Sequence, residues 1–368
     1  MKSYDPYDIW ALPTLGKLKN SWTQRGKAGV IFVPLIGMAE IGAPIILRKL
    51  LGIRPKEFAH VEAMRYLYGE QSISNALHCF HDSVTSGGGW GLPFSWFSKN
   101  GIYSERLAYI TNTPYVMEAL LDISRSPGHQ ESAMVAFNQT WLFLNNLRVM
   151  ASEDERLALS YSTTDEPRIV INANSYAAFA FSLHAKYGTV GNRNQAKKNA
   201  YKIINWIISQ QQKDGSWYYY ADKQPGNFID CFHSCFVIKN LLKVQRELPE
   251  IAGTITPAVE KGWRYIRQNL YDSSSGLCLR FSQRSHKDPF RWDLYDQAEY
   301  LGLLIDFQLY EEARSFCENV ENRFKKNSSW YCRIDIFGRR WGKDFLRWGI
   351  APFKYHRHRL VNAVGEYW

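Results

Sequence analysis

The chain is predicted to be all-α, an α/α toroid of repeated helix hairpins preceded by an N-terminal hydrophobic helical segment. Three observations predict it. After Pro55, apolar residues recur at helical spacing almost to the end of the 368 residues, with no convincing strand-like alternation. Connections alternate between short turns holding Gly or Pro (SRSPGHQ, YGTVGNRN, LPEIAGTITP) and long loops rich in Trp, Tyr and Gly. The long loops share a cadence, anchored at Trp90, Tyr161, Trp217, Cys278 and Trp330, each one helix pair beyond the last. Repetition at that period marks stacked supersecondary units. Such pairs form an open solenoid or close into a ring. The terminal units carry no obviously polar cap, which favours closure, with the long loops building one concave site.

Residues 1–55 are set apart from a toroid domain at 56–368. Residues 28–47 (AGVIFVPLIGMAEIGAPIIL) are apolar and about long enough to cross a bilayer. Glu40 near the middle, the breaks at Pro34 and Pro44, and Lys or Arg at both ends argue against a span. A helical hairpin packed on the main domain is the first reading, a re-entrant or interfacial anchor on an anionic membrane surface stands beside it, and a true span comes last. Helices are then expected at 57–82, 105–124, 131–151, 172–187, 194–212, 229–246, 257–270, 293–308 and 311–325. The tail DFLRWGIAPFKYHRHRL, with Arg347, Lys354, His356, Arg357, His358 and Arg359, reads first as a solvated basic face and otherwise as an anion site.

Composition narrows the classes. With 45% hydrophobic and 22% charged residues the chain has ample core and is not disordered. Its 13 Trp, 22 Tyr and 20 Phe suit flat ligands such as sugar rings, or simply fill cores. A net charge of +10 suggests an anionic partner. Nucleic acid is not expected, because no recognition motif appears and the positive charge is dispersed. Six cysteines in so long a chain are not a disulfide framework, and the polar start lacks a cleavage site. The expectation is a cytoplasmic protein with reduced thiols, without metal or cofactor.

QQKDGSW at 211–217 is similar to the QW repeat of squalene cyclases and prenyltransferase-like α/α toroids. The stretch INANSYAAFAFSLHAKYG…QQKDGSWYYYADKQPGNFIDCFHSCFVIKNLL resembles a bacterial exopolysaccharide and capsule biosynthesis family, VpsJ-like. GWGLPFSW, AYITNTPYVMEALL and the opening YDPYDIW fit the same pattern. The resemblance implies a toroid acting in surface polysaccharide synthesis, with a carbohydrate or lipid-linked oligosaccharide as ligand and polysaccharide assembly proteins as partners. The DxDD acid motif of class II terpene cyclases is absent, which argues against polyene cyclisation.

Several residues are candidates for chemistry. Asp230 and His233 are three apart and share a helix face, so the carboxylate can orient the imidazole as a general base; a structural pair is the alternative. Cys231, His233 and Cys235 form C-x-H-x-C, but His233 points away from the two thiols, so packing is preferred to zinc. Tyr161 is a proton donor or acceptor candidate. Asp288, Arg291, Asp293 and Asp296 share a long-loop exit; Asp296, in the first turn of a helix capped by Asp293, reads first as a structural carboxylate and otherwise as a catalytic acid. Trp90, Trp96, Trp217 and Tyr219 are candidates for stacking on a sugar, although Trp90 and Trp217 read first as keystones of the repeat. Asn174, Asp214 and Arg291 complete the substrate-binding set. The expected chemistry is acid–base work on a sugar. Two carboxylates facing each other across the cavity support hydrolysis, and a Tyr/His/Asn/Arg floor supports elimination or epimerisation. The alternatives are a non-catalytic glycan-binding or scaffold subunit and, more remotely, an isoprenoid-handling enzyme.

Overall fold

In a computed structural model, which describes residues 1–23, 26–98, 100–282 and 290–365, three N-terminal helices lead into two concentric sets. The leading helices are α1 (Pro13–Thr23), α2 (Lys27–Gly42) and α3 (Pro44–Leu50). Hairpins follow in order: α4 (Ala59–Leu67) with α5 (Ile73–Ser83), α6 (Thr113–Ile123) with α7 (Gln130–Asn145), and α8 (Ile171–Tyr187) with α9 (Val190–Ser209). Then come α10 (Cys231–Glu247) with α11 (Ala252–Asn269), α12 (Leu294–Asp306) with α13 (Tyr310–Phe324), and α14 (Ala351–Val364).

Sequence character decides which set each helix joins. A helix apolar on every side must be covered on every side. In α8 every residue from Ile171 to His184 is buried, as is every residue of α12 from Leu294 to Ile305, so both are inner helices. The outer α9 has one buried stripe, Ala196, Ala200, Ile203, Ile204 and Ile207, and turns its Lys and Asn outward. The inner helices pack in succession, and α14 lies against both α12 and α4, closing the ring. Two glycines permit that closure. A Cβ on Gly302 would come within 2.5 Å of the His356 ring, and Gly349, at φ +93°, lies where a Cβ would strike the Leu294–Tyr295 backbone.

The expected segment 57–82 is two helices. Gly69 turns the chain at φ +82°, and the Ser72 hydroxyl accepts from the Asn75 N–H to start α5. The basic tail is α14, an inner helix. Its charges have partners: Arg357 meets Glu321, Arg359 meets Asp306 and Lys354 meets Glu70, while His356 is buried. Short strands occur in the long loops. The most regular, Ser329–Asp335, buries Trp330, Cys332 and Ile334 alternately and pairs antiparallel with Phe290–Asp293 and Arg340–Lys343.

The loops are locked to the helices by recurring devices. The Trp90 indole N–H donates to the carbonyl of Phe80 at 2.9 Å, and the Trp217 indole N–H donates to Ile207 at 3.0 Å, each ten residues back. Asn174 accepts from the Leu159 N–H and donates to the carbonyls of Leu159 and Val170, at 2.8, 3.1 and 3.0 Å. Gln297 does the same with the Cys278 N–H, the Cys278 carbonyl and the Asp293 carbonyl, at 2.7, 2.9 and 3.1 Å. Both amides stand at the fourth residue of an inner helix and reach the N-cap carbonyl.

The N-terminal segment lies across the mouth of the ring. Ser3 pairs with Lys56 through the backbone, and Arg347, just before α14, donates two hydrogen bonds to Asp5. Arg48 of α3 reaches Asp8, Glu40 and the Asp5 carbonyl at 2.9, 2.6 and 2.7 Å. Glu40, the charge inside the apolar stretch, is therefore turned inward and paired.

Candidate functional site

A cavity of about 690 Å³ occupies the mouth of the ring, roofed by α1 and α2. Ligand sites run from about 300 to 1,000 Å³, so there is room for one or two sugar units. The wall carries His60, Tyr161, Asn172, Asp230, His233 and Arg347, among mainly aromatic neighbours.

The central feature is the start of α10. An N-cap Asp ordinarily spends its carboxylate on the first free N–H groups of its own helix. Here neighbours do that work. The Cys231 N–H donates to the Arg280 carbonyl at 3.0 Å, and the Phe232 N–H to Asp296 Oδ1 at 3.0 Å. The Asp230 side chain makes no capping bond, and both its oxygens lie 2.7–2.8 Å from His233 Nδ1. Asp230 is 1% exposed in its side chain and His233 20%, so the carboxylate is sunk and the imidazole reaches the cavity. The ring is held between Tyr219, at a centroid distance of 4.5 Å, and Phe232, at 3.9 Å. With Nδ1 committed to the carboxylate, Nε2 is the nitrogen left to exchange a proton with a ligand.

Tyr161 also lines the cavity. Its hydroxyl lies 2.6 Å from Thr111 Oγ1, and burial pushes the phenol up to about 12, so at neutral pH it is a donor. Trp96 lines the wall, stacked on Tyr103 with centroids 5.3 Å apart. Asp230, His233, Tyr161, Trp96 and Tyr219 are thus brought together on one cavity.

The other sequence candidates lie elsewhere, each for a physical reason. Asp296 is fully buried beneath α10, capping that helix from outside, with Arg280 Nη1 3.8 Å away; burial pushes its carboxyl well up. It positions the dyad and does not face the cavity. Asn174 is the loop clamp described above. Asn172, two residues earlier and so on the other side of α8, lines the cavity instead. Trp90 and Trp217 are repeat keystones, 1% and 3% exposed. Asp214 is exposed and turns its own loop, accepting from the Ser216 N–H at 3.0 Å. Arg291 is exposed against Trp292. Asp288 lies outside the described residues. Cys231 and Cys235 are fully buried with sulfurs 4.0 Å apart, the packed thiols expected.

Sequence reasoning missed other wall groups. His60, on α4, is 3% exposed and held neutral by burial, its pKa lowered to about 3. Lys19 of α1 lies 4.9 Å from the Tyr7 ring centroid, with no ion-pair partner among the described residues; burial lowers it to about 8. Arg280 and Arg333 share Asp293, which also caps α12 and accepts from the Trp348 indole at 2.8 Å. His60 lies on a helix the sequence predicts, but nothing nearby in the chain marks it. Five buried polar atoms on this wall have no hydrogen-bond partner among the described residues: His60 Nδ1, Tyr109 Oη, Asn112 Nδ2, Asn172 Oδ1 and Arg280 Nε. Orphaned groups cost about 1–3 kcal/mol each, and those on this wall are donors and acceptors that a polar ligand could meet.

The fold has solved counterparts. It matches a sugar epimerase from a ruminal bacterium (TM-score 0.59, 13% identity, covering 84% of this chain and 86% of that one). It matches a D-mannose isomerase at TM-score 0.58 and 13% identity, over 83% and 87% of the two chains. It matches the cellobiose 2-epimerase of Bacillus thermoamylovorans B4167 at 0.60 and 13%, over 83% and 86%. The chain is an α/α toroid. At such identity the likeness concerns the fold alone. No family model matches the sequence, and no curated protein matches it.

Proposed function

We propose that the protein is a carbohydrate-acting enzyme that moves protons on a sugar, by epimerisation or isomerisation rather than hydrolysis. One observation carries the reading: the cavity sets an Asp-held imidazole among five orphaned polar atoms, while its carboxylates among the described residues are already engaged. Among the described residues the acids lining it are Asp230, bound to His233, and Glu40, bound to Arg48. Glycoside hydrolysis commonly uses two carboxyl groups flanking the bond, and among the described residues this wall has no second one at liberty.

In the proposed step His233 Nε2 takes a proton from the carbon beside a sugar carbonyl. Asp230 stabilises the imidazolium that forms, and Arg280 and Arg347 face the growing oxyanion. Tyr161, held as the phenol, returns a proton or bonds the oxygen. The solved sugar epimerases and isomerase of like fold support the same reading by analogy.

The finer reading follows from the sequence resemblance. The sugar belongs to surface polysaccharide biosynthesis, carried on a lipid-linked intermediate and handled beside assembly proteins in the cytoplasm. Six unpaired cysteines fit such a reducing compartment.

Mass spectrometry after incubation in heavy water with host surface-glycan oligosaccharides and their monosaccharides tests the reaction. Uptake of one deuterium without cleavage is expected, and its loss in Asp230→Asn and His233→Ala. Cleavage with addition of water would overturn the epimerase reading in favour of hydrolysis. An unsaturated end would show elimination. A glycan bound equally by wild type and variants, yet unchanged, would leave a glycan-binding subunit.

A further inference from the structure

Helix α2 is apolar on its outside as well as its inside. Val33, Gly37 and Ile41, four residues apart, face the cavity. The opposite side presents Ile31, Leu35 and Met38, which are 58%, 51% and 60% exposed, flanked by Val30 and Phe32. The surface continues onto α3 with Ile46 and Leu50, 61% and 81% exposed. A helix apolar all round belongs in a core or in lipid, and α2 has a protein neighbour on one side only.

The charge around this face has one sign. Between residues 9 and 56 the sequence holds eight Lys or Arg and a single acid, Glu40, which is turned in to Arg48. Lys27, Lys49 and Arg54 are exposed at the two ends of the apolar stretch. No single helix among the described residues is long and apolar enough to cross a membrane, and α2 and α3 meet at 115°. That bend suits a pair lying in one leaflet rather than passing through two.

We propose that the outer face of α2 and α3 seats in the surface of an anionic lipid bilayer, its apolar side chains at the acyl boundary and its basic ends on the lipid phosphates. Each half of the face matches one half of such a surface: apolar area for the acyl chains, cations for the phosphates. A second copy of the chain would bring the same basic ends together, which opposes a symmetric dimer through this face. The docking is independent of the cavity chemistry, so either stands if the other fails.

The test is flotation of the full-length protein with vesicles of phosphatidylglycerol and phosphatidylcholine, against vesicles of phosphatidylcholine alone. The protein is expected to float with the anionic vesicles, less with the neutral ones, and less again in high salt. Ile31→Ser/Leu35→Ser/Met38→Ser should cut vesicle binding by about tenfold or more, with an unchanged circular dichroism spectrum and thermal midpoint, since all three side chains are exposed. Lys27→Ser/Lys49→Ser/Arg54→Ser should weaken binding to anionic vesicles and leave the neutral ones unaffected. A wild-type protein that stays in solution with both vesicles overturns the proposal, as does a triple apolar variant that floats as well as wild type. A dimer in sedimentation that the apolar variant dissolves, without vesicle binding, assigns the face to a second copy instead.

Discussion

Asp230 and His233 show how one side chain is released for chemistry when others take over its structural duty. Asp296 and the Arg280 carbonyl satisfy the opening N–H groups of α10, which leaves the Asp230 carboxylate to the imidazole. Asp230→Asn would put an amide against Nδ1 and disturb the tautomer, so kcat should fall about 100- to 10,000-fold with little change in KM; steady-state kinetics on the deuterium-exchanging sugar checks it. Lys19 gives a separate expectation. Its ammonium is present at neutral pH and lost through about 8. Binding of a carboxylate-bearing sugar should therefore weaken as pH rises through that value, and Lys19→Met should abolish the step in a calorimetric titration. Some of this was legible in the sequence. The three-residue spacing of Asp230 and His233 predicts a shared face whatever the tertiary fold. Asn172 and Asn174 could not be told apart, because which side of α8 faces the cavity depends on how that helix is rotated in the ring. The bond from the Phe232 N–H to Asp296 has no signal within the segment around Asp296, which shows only a helix-start carboxylate.

The helices and loops are joined by a few contacts used more than once. Trp90 and Trp217 perform the same act, an indole donating to a carbonyl ten residues back. Replacing either by Ala should cost about 3–5 kcal/mol, measured by urea denaturation, while turnover per folded molecule is retained. Asn174→Ala should cost about 1–3 kcal/mol, and Gln297→Ala a similar amount, since both clamps make three equivalent bonds. A loss of activity without a loss of stability in Asn174→Ala would return that residue to the ligand. The repeating loops with their aromatic anchors were plain in the sequence, because each unit must present the same groups to its neighbours. Helix α14 was not. Its Arg and Lys resemble a solvated face until their partners Glu321, Asp306 and Glu70, all distant in sequence, are brought alongside.

The molecule as a whole stores several uncharged histidines. His60 and His184 are lowered to about 3 and about 4, and His356 lies well below its ordinary value, in each case chiefly by burial. The unfolded chain takes up these protons near 6.5 and the folded chain does not. The stability these three histidines contribute is therefore complete above about 6.5 and falls as pH drops toward 4, by about 1.4 kcal/mol per pH unit for each histidine inside its window. Urea midpoints across that range should decline steadily, and His60→Asn should flatten the decline. Ring closure was legible because the end units lack polar caps. The roof was not, because an apolar segment that covers a cavity with one side and leaves the other bare reads the same as one that is simply buried.

Below the dyad the ring is filled. Tyr115, on the cavity wall, meets the Tyr176 hydroxyl at 2.8 Å and accepts from Lys239 at 3.0 Å, and Lys239 is bound at 2.7 Å to Glu299, buried with it. A chamber with a floor admits a chain by its tip. A long glycan cannot be threaded through it or gripped in mid-strand, so rate should follow the number of termini in solution and not the mass of polymer. Cutting a polysaccharide into shorter pieces would multiply the substrate without adding a single sugar.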